Sequence, residues 1–303
     1  MSLYKGETLF LRTKKTRKSL LAISLCLSVF LFNSCMRIAL RASPSLFPNF
    51  TTSIFEECDI ELARNAIPAN LKLLEGLLKN DPENKQILTT LSMGFAGYSM
   101  LFVEGDDPER ASGLYLRARD YGIKALGEKG VSLKNAQHRK EDLQKALQTL
   151  GKEELQPLFW ITVSWNAWIN LNLYKPGALA QLNASQAFLD RVMEIDASYF
   201  RGLPHVLMGV SLSARPPMLG GNVEQAKEHF DKALDLSHGK FFLAQYYFAR
   251  YYAVRIQDKA LFLKLTGDIE KMDPSELRDV CLINSVTQQK AKQLRERVDE
   301  LFL

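Results

Sequence analysis

The run Gly220-Gly221-Asn222-Val223-Glu224-Gln225-Ala226-Lys227-Glu228-His229-Phe230-Asp231-Lys232-Ala233 decides the fold. Ala226, Phe230 and Ala233 stand at i, i+4 and i+7, so they share one face of a helix. The alanines let a neighbouring helix approach, and the ring fills the gap between them. Another small residue, Gly209, stands 17 positions before Ala226. The same spacing recurs at Gly94–Ala111–Tyr115–Ala118 and, weakened, at Ala167–Ala184–Phe188–Arg191. Three copies of one spacing point to an internal repeat. Each copy predicts a helical hairpin, with the small residue on helix A and Ala-x3-aromatic-x2-Ala on helix B.

The pattern resembles the tetratricopeptide repeat, which places Gly or Ala in its first helix and Ala, Phe or Tyr, and Ala in its second. Here the step from helix A to helix B is 17 residues, against about 12 in the ordinary 34-residue repeat. The expected fold is therefore an all-α solenoid of helical hairpins with extended A–B turns and a C-terminal capping helix. The first hairpin reads as Lys85–Val103, a turn capped by Asp107 with Pro108 at the first helical position, and Glu109–Leu126. Residues 127–136 read as a loop, followed by an inserted helix near Arg139–Leu150. The second hairpin reads as Leu158–Tyr174, a Lys175-Pro176-Gly177 turn, and a helix to Ile195. The third reads as Phe200–Ala214, the turn Pro216 to Asn222, and helix B, with Asn222 and Gln225 forming a capping box. The fourth reads as Lys240–Arg255 and Lys259–Lys271, and a final helix, Ser275–Leu303, caps the stack. Before the first hairpin, a helix from Ile54 is expected to break at Pro68 and to stop at Asn80-Asp81-Pro82-Glu83-Asn84.

The N-terminal 34 residues read as a targeting segment, not as fold. Lys5, Arg12, Lys14, Lys15, Arg17 and Lys18 precede an apolar run from Leu20 to Phe32. That run suits a signal-peptide core and is shorter than the ~20 apolar residues that span a bilayer. Leu31-Phe32-Asn33-Ser34-Cys35 resembles a relaxed bacterial lipoprotein cleavage box, with Cys35 as the lipid acceptor. Residues 35–54 read as a tether and 55–303 as the repeat domain. The first 34 residues carry six of the 39 basic and one of the 34 acidic side chains, so the remainder holds 33 of each. A neutral mature chain gives no basis for nucleic-acid binding. Cys58 and Cys281 remain after processing. They stand either as a disulfide in an oxidising compartment or as two buried thiols.

No Gly-rich phosphate loop, metal-binding His pair or nucleophile elbow stands in the sequence, and His138, His205, His229 and His238 fall in different elements. Neither catalytic residues nor a cofactor nor a metal site is expected. In stacked hairpins the A helices line the concave side, where such repeats bind. Aligning the A helices puts Phe95, Tyr98, Ser164, Trp168, Asn172, Phe242, Gln245 and Tyr252 inward. Those residues read either as core aromatics with their neighbours or as the lining of an apolar cavity with a few polar groups.

Several stretches then converge: the lipoprotein-like leader, Asn80-Asp81-Pro82-Glu83-Asn84, the Pro217-Met218-Leu219-Gly220-Gly221-Asn222 turn before Ala226, and the last helix with Asn284, Ala291, Leu294 and Leu301-Phe302. Over residues 56–303 they resemble the T component of TRAP transporters, periplasmic tetratricopeptide-repeat lipoproteins of treponemal type. The resemblance implies a non-enzymatic protein held at a membrane by its lipid (a palmitate-type acyl anchor). It implies association with the TRAP solute-binding protein, self-association as a homo-oligomer with a trimer among the candidate sizes, and a cavity that passes a small hydrophobic ligand. The competing reading is a helical-repeat scaffold lipoprotein for envelope protein assembly, whose groove would bind peptide.

Overall fold

The computed structural model describes residues 46–302, which are helical with no β-strand among them. α1 (Leu46–Phe55) and α2 (Ile60–Leu78) lead into the hairpins. The first pairs α3 (Lys85–Tyr98, prolonged by a π-helical turn over Ser99–Val103) with α4 (Pro108–Ala125). α5 (Glu128–Ala136) and α6 (Lys140–Gln148) are inserted after it. The second pairs α7 (Leu155–Leu171) with the short α8 (Pro176–Leu179) and α9 (Leu182–Asp196). The third is α10 (Tyr199–Ala214) with α11 (Val223–Ser237). The fourth is α12 (Phe242–Tyr247, prolonged by a π turn over Phe248–Ala253) with α13 (Lys259–Lys271). α14 (Cys281–Glu296) and the one-turn α15 (Val298–Leu301) end the chain. This packing is consistent with a helical solenoid.

The repeated residues do the packing expected of them on helix B. Ala111, Tyr115, Ala118, Ala226, Phe230 and Ala233 expose no surface. A Cβ at Gly209 would stand 2.8 Å from the Phe230 ring, so only glycine permits this approach of α10 to α11. Gly94 differs: its missing Cβ makes room for Leu71 of α2, not for the ring of its own hairpin. In the weakened copy, Arg191 replaces an alanine and donates to the Leu150 carbonyl at 2.6 Å, which anchors the inserted segment. The turns are capped as the sequence requires: Asp107, Asn222 and Asp258 accept from the backbone N–H of Arg110, Gln225 and Leu261 at 3.0, 3.0 and 2.9 Å. Of the capping box expected at Asn222, this is the half that forms.

Several boundaries depart from the sequence reading. Residues 127–136 are not a loop; Gly127, at φ +58°, turns the chain directly from α4 into α5. Pro68 lies inside an unbroken α2, where Ile67, Leu71 and Leu74 are buried on the inner side. A helix-interior proline costs about 3 kcal/mol, and burying each such side chain returns roughly 1.5–3 kcal/mol. Residues 46–54, read as tether, belong to α1 because Phe47 is buried and Phe50 and Ile54 pack on the core. The final helix starts at Cys281, since Asp273 holds a short 3-10 turn and Leu277 is non-helical. The leader and Cys35 lie outside the described residues.

The stack closes on itself. α14 packs on α12 and α13 and also reaches α1, α2 and the π turn 99–103. Cys58 and Cys281 are joined in a disulfide, 5.2 Å between Cα atoms, and Glu56 pairs with Arg278 at 3.4 Å beside it. Asn284 accepts from the Phe242 N–H at 3.0 Å and donates to the Lys240 carbonyl at 2.9 Å. Phe200, at φ +47°, packs its ring against Phe55, Phe159, Trp160 and Phe241, which links α1 to the starts of the second and fourth hairpins. The span Lys85–Val103 is long and apolar enough to cross a membrane, but 78% of that window is buried in the protein, as for a core helix.

Two outcomes follow from this packing. Phe230→Ala should lower unfolding free energy by about 3–5 kcal/mol; a loss under 1 kcal/mol in denaturant titration would mean that the Gly209–Phe230 contact is not a core contact. Cys58→Ser should cost roughly 2–5 kcal/mol, and a reductant should lower the thermal midpoint of the parent chain but not that of the variant.

Candidate functional site on the inner face

Closure brings the inner ends of the first and fourth hairpins together. Glu104 follows the first π turn. Its carboxylate accepts from Tyr115 at 2.6 Å and stands 3.9 Å from the Arg250 guanidinium of the second π turn. Arg250 also donates to the Tyr246 hydroxyl at 3.2 Å and lies 5.3 Å from the Tyr251 ring centre. Lys290 reaches across from α14 and donates to the Met100 carbonyl at 2.5 Å. Tyr247, Arg250, Tyr251 and Lys290 sit deep among protein atoms, yet each keeps part of its surface open.

The electrostatics agree with that setting. Burial, and then the Glu104 charge, push the hydroxyls of Tyr115 and Tyr247 well above the usual range, and burial takes Tyr251 up to about 12. Burial lowers the Lys290 ammonium, with Glu104 opposing and Arg250 adding to the shift. Burial also disfavours the Arg250 charge, but Tyr251, Tyr246 and Glu104 outweigh it and the guanidinium is held above its ordinary value. The tyrosines therefore stay neutral donors.

An apolar pocket of about 60 Å³ lies beneath α1, lined by Phe50, Ile54, Leu71, Gly97, Tyr98 and Leu282. A Cβ at Gly97 would meet nothing within 4 Å. The Tyr98 ring lies 5.7 Å from Phe102, which in turn lies beneath the Arg64 guanidinium at 5.1 Å. A wider cleft, about 1400 Å³, lies elsewhere, between the start of α3, α4 and α5. Charged chains of both signs line it, including Glu83, Lys85, Arg119 and Glu128, and such a surface is a solvated groove.

The residues expected inward divide into two groups. Tyr98 and Trp168 are half-buried. The others are buried and engaged. Phe95 lies under Arg117 at 4.4 Å and beside Tyr121; Arg117 and Tyr121 both bind Glu75. Burial would raise the Glu75 pKa, but its bonds from Lys72, Tyr121 and Arg117 hold it below the usual value. Ser164 donates to the Trp160 carbonyl at 2.7 Å, and Asn172 donates to Ser112 at 2.9 Å. Phe242 is bound through its backbone by Asn284. Tyr252 packs on Phe248 at 5.1 Å. Gln245 is buried, and its Oε1 has no hydrogen-bond partner among the described residues.

Glu104, Arg250, Tyr247, Tyr251 and Lys290 were missed by sequence reasoning, and the π turns explain part of the error. An i→i+5 turn adds about one residue per turn, so a strict α-helical projection loses its phase beyond Phe248: Tyr252 stays packed on Phe248 and Phe230, and Arg250 faces Glu104. A second missed pair is His205 on α10 and His229 on α11, whose Nδ1 atoms are 2.8 Å apart.

A closed helical stack with aromatic walls and a few converging polar groups has the lining of a binding protein. The chain belongs to the TRAP transporter T-component family, whose model matches residues 56–302. Such proteins are accessory components of transporters, which gives this chain a transporter-associated role and no enzymatic one. A Treponema pallidum (strain Nichols) protein, described as an uncharacterized protein, is 21% identical over 277 residues, 84% of each chain.

The histidine pair yields a pH dependence. Burial is the first cause that lowers both imidazoles, His205 to about 4 from 6.5 with help from His229 and Lys232, while Glu228 opposes on His229. The unfolded chain thus binds more protons between pH 6.5 and 4, so stability is full above 6.5 and falls as pH drops through that window. The thermal midpoint of the parent chain should fall more steeply there than that of His205→Gln; parallel curves would remove the pair as the cause.

Proposed function

We propose that this protein is a lipid-anchored periplasmic accessory component of a TRAP-type transporter. It binds the transporter's solute-binding protein and passes a small hydrophobic solute along its inner face. Cys35 carries the anchor, and the chain acts as a homo-oligomer. Two observations support the ligand reading: an apolar pocket at Tyr98 and Gly97, which at about 60 Å³ takes only one end of a solute, and the convergence of Glu104 and Arg250 from the first and fourth hairpins. An apolar wall with few, well-placed polar groups is the chemistry of small-molecule sites. Trp168, half-buried on α7, extends the aromatic wall in this reading. Family membership supports the partner.

The test has two readouts. The lipidated protein is retrieved from its native envelope, and retained proteins and extracted small molecules are identified by mass spectrometry. Recovery of a periplasmic solute-binding protein supports the transporter reading; recovery of outer-membrane assembly factors in its place favours a peptide-binding scaffold. Gly97→Leu fills the pocket from an open position. It should reduce the co-extracted solute tenfold or more while the partner complex persists. Unchanged solute content in that variant would end the pocket assignment.

A further inference from the structure

The third hairpin holds a pair of side chains that the transporter reading does not use. His205 and His229 face each other from α10 and α11, their ring centres 5.1 Å apart and tilted by 39°. Their Nδ1 atoms stand at 2.8 Å, so one Nδ1–H donates to the other's lone pair. Both side chains are half-buried, and neither imidazole has another hydrogen-bond partner among the described residues. Most paired histidines are held by a carboxylate or carbonyl that fixes the tautomer; these hold only each other.

We propose that His205 and His229 form a two-nitrogen site for a divalent transition-metal ion that favours right-angled coordination, Cu²⁺ or Ni²⁺. With metal–nitrogen bonds of about 2.0–2.1 Å, two cis nitrogens lie about 2.9 Å apart at a right angle and about 3.3 Å apart at the tetrahedral angle. The 2.8 Å between the two Nδ1 atoms is a hydrogen-bond contact, and rotation of each ring about its Cβ–Cγ bond turns it into two cis nitrogens about one ion at the shorter of these spacings. Tetragonal nitrogen sites suit Cu²⁺ and Ni²⁺, and Cu²⁺ heads the divalent affinity order. Binding needs no net proton release from the neutral pair: the shared proton leaves Nδ1 and the same ring takes one at Nε2, which frees both Nδ1 lone pairs. The lowered pKa values keep both rings neutral near pH 7, so protons compete weakly. Of the nearby charges, Glu228 favours a cation and Lys232 opposes one. No group of three or more metal-binding side chains occurs among the described residues. The remaining coordination positions therefore fall to water or to donors outside this chain. A bound ion clamps α10 to α11.

The full chain, without an affinity tag, is titrated with CuCl₂, NiCl₂ and ZnCl₂ by calorimetry, and the copper form is read by electron paramagnetic resonance. One Cu²⁺ should bind saturably with hyperfine structure from two nitrogens. Affinity should fall tenfold or more in His205→Gln and in His229→Gln, and stay unchanged in His138→Gln and His238→Gln. Absence of saturable binding, a spectrum without two nitrogen donors, or binding retained in both pair variants would overturn the site. Tighter Zn²⁺ than Ni²⁺ binding would overturn its right-angled geometry. The spectrum of the parent chain decides the matter even where a variant fails to fold.

Discussion

Closure between Cys58 and Cys281 is the constraint on which the rest of the structure depends. An open solenoid needs polar caps at both ends. Here the ends cap each other: α14 covers α1 and α2, and the apolar faces of all three are spent at the junction. Closing a loop of 223 residues removes more freedom from the unfolded chain than closing a short one, so in the chain-entropy account this disulfide stabilises more than a bridge between near neighbours. With it the first and fourth hairpins, distant in sequence, share one interior.

That interior holds charges that a plain core would not. Glu104 is largely removed from water, which costs free energy for an ion, while the Arg250 beside it keeps more than a third of its side chain open to solvent. Each is partly compensated: Glu104 by Tyr115, Arg250 by Tyr246, and Lys290 by the Met100 carbonyl. A hydrophobic filling of the same volume would be at least as stable. Phe200, Trp160 and Phe241 make an all-aromatic cluster in the core between the second, third and fourth hairpins.

The hairpins were legible in the sequence because their determinant is local. Ala226, Phe230 and Ala233 announce a helix face, and Asp107 and Asn222 announce where helices start. The interior was not legible, because Glu104, Arg250 and Lys290 meet only through closure, across separations of more than a hundred residues in the first two cases. The α5 helix hid behind Gly127 and Gly130, which read as loop residues. Gly127 supplies a positive φ, and Gly130 lies against the Ile123 carbonyl. His205 and His229 were passed over because each alone looks ordinary. Their pairing depends on the rotation of α10 about α11, which one helical pattern does not fix.

The 17-residue step between helix A and helix B is met in two physically different ways. The third hairpin runs α10, helical beyond the left-handed break at Phe200, Arg201 and Gly202, to Ala214 and then spends its extra residues in the Pro216–Asn222 turn. The first keeps a short turn and spends them in the π turn Ser99–Val103. One spacing therefore masks two solutions, which is why it identified the hairpins but misled the reading of which side chains face inward. A π turn has poorer backbone geometry than an α turn and recurs at functional positions. In this chain both π turns stand at the ends of α3 and α12. They deliver Glu104 to one side of the interior and Arg250 and Tyr251 to the other. The irregular backbone is thus placed where closure makes the two hairpins face each other, and the polar interior is its result.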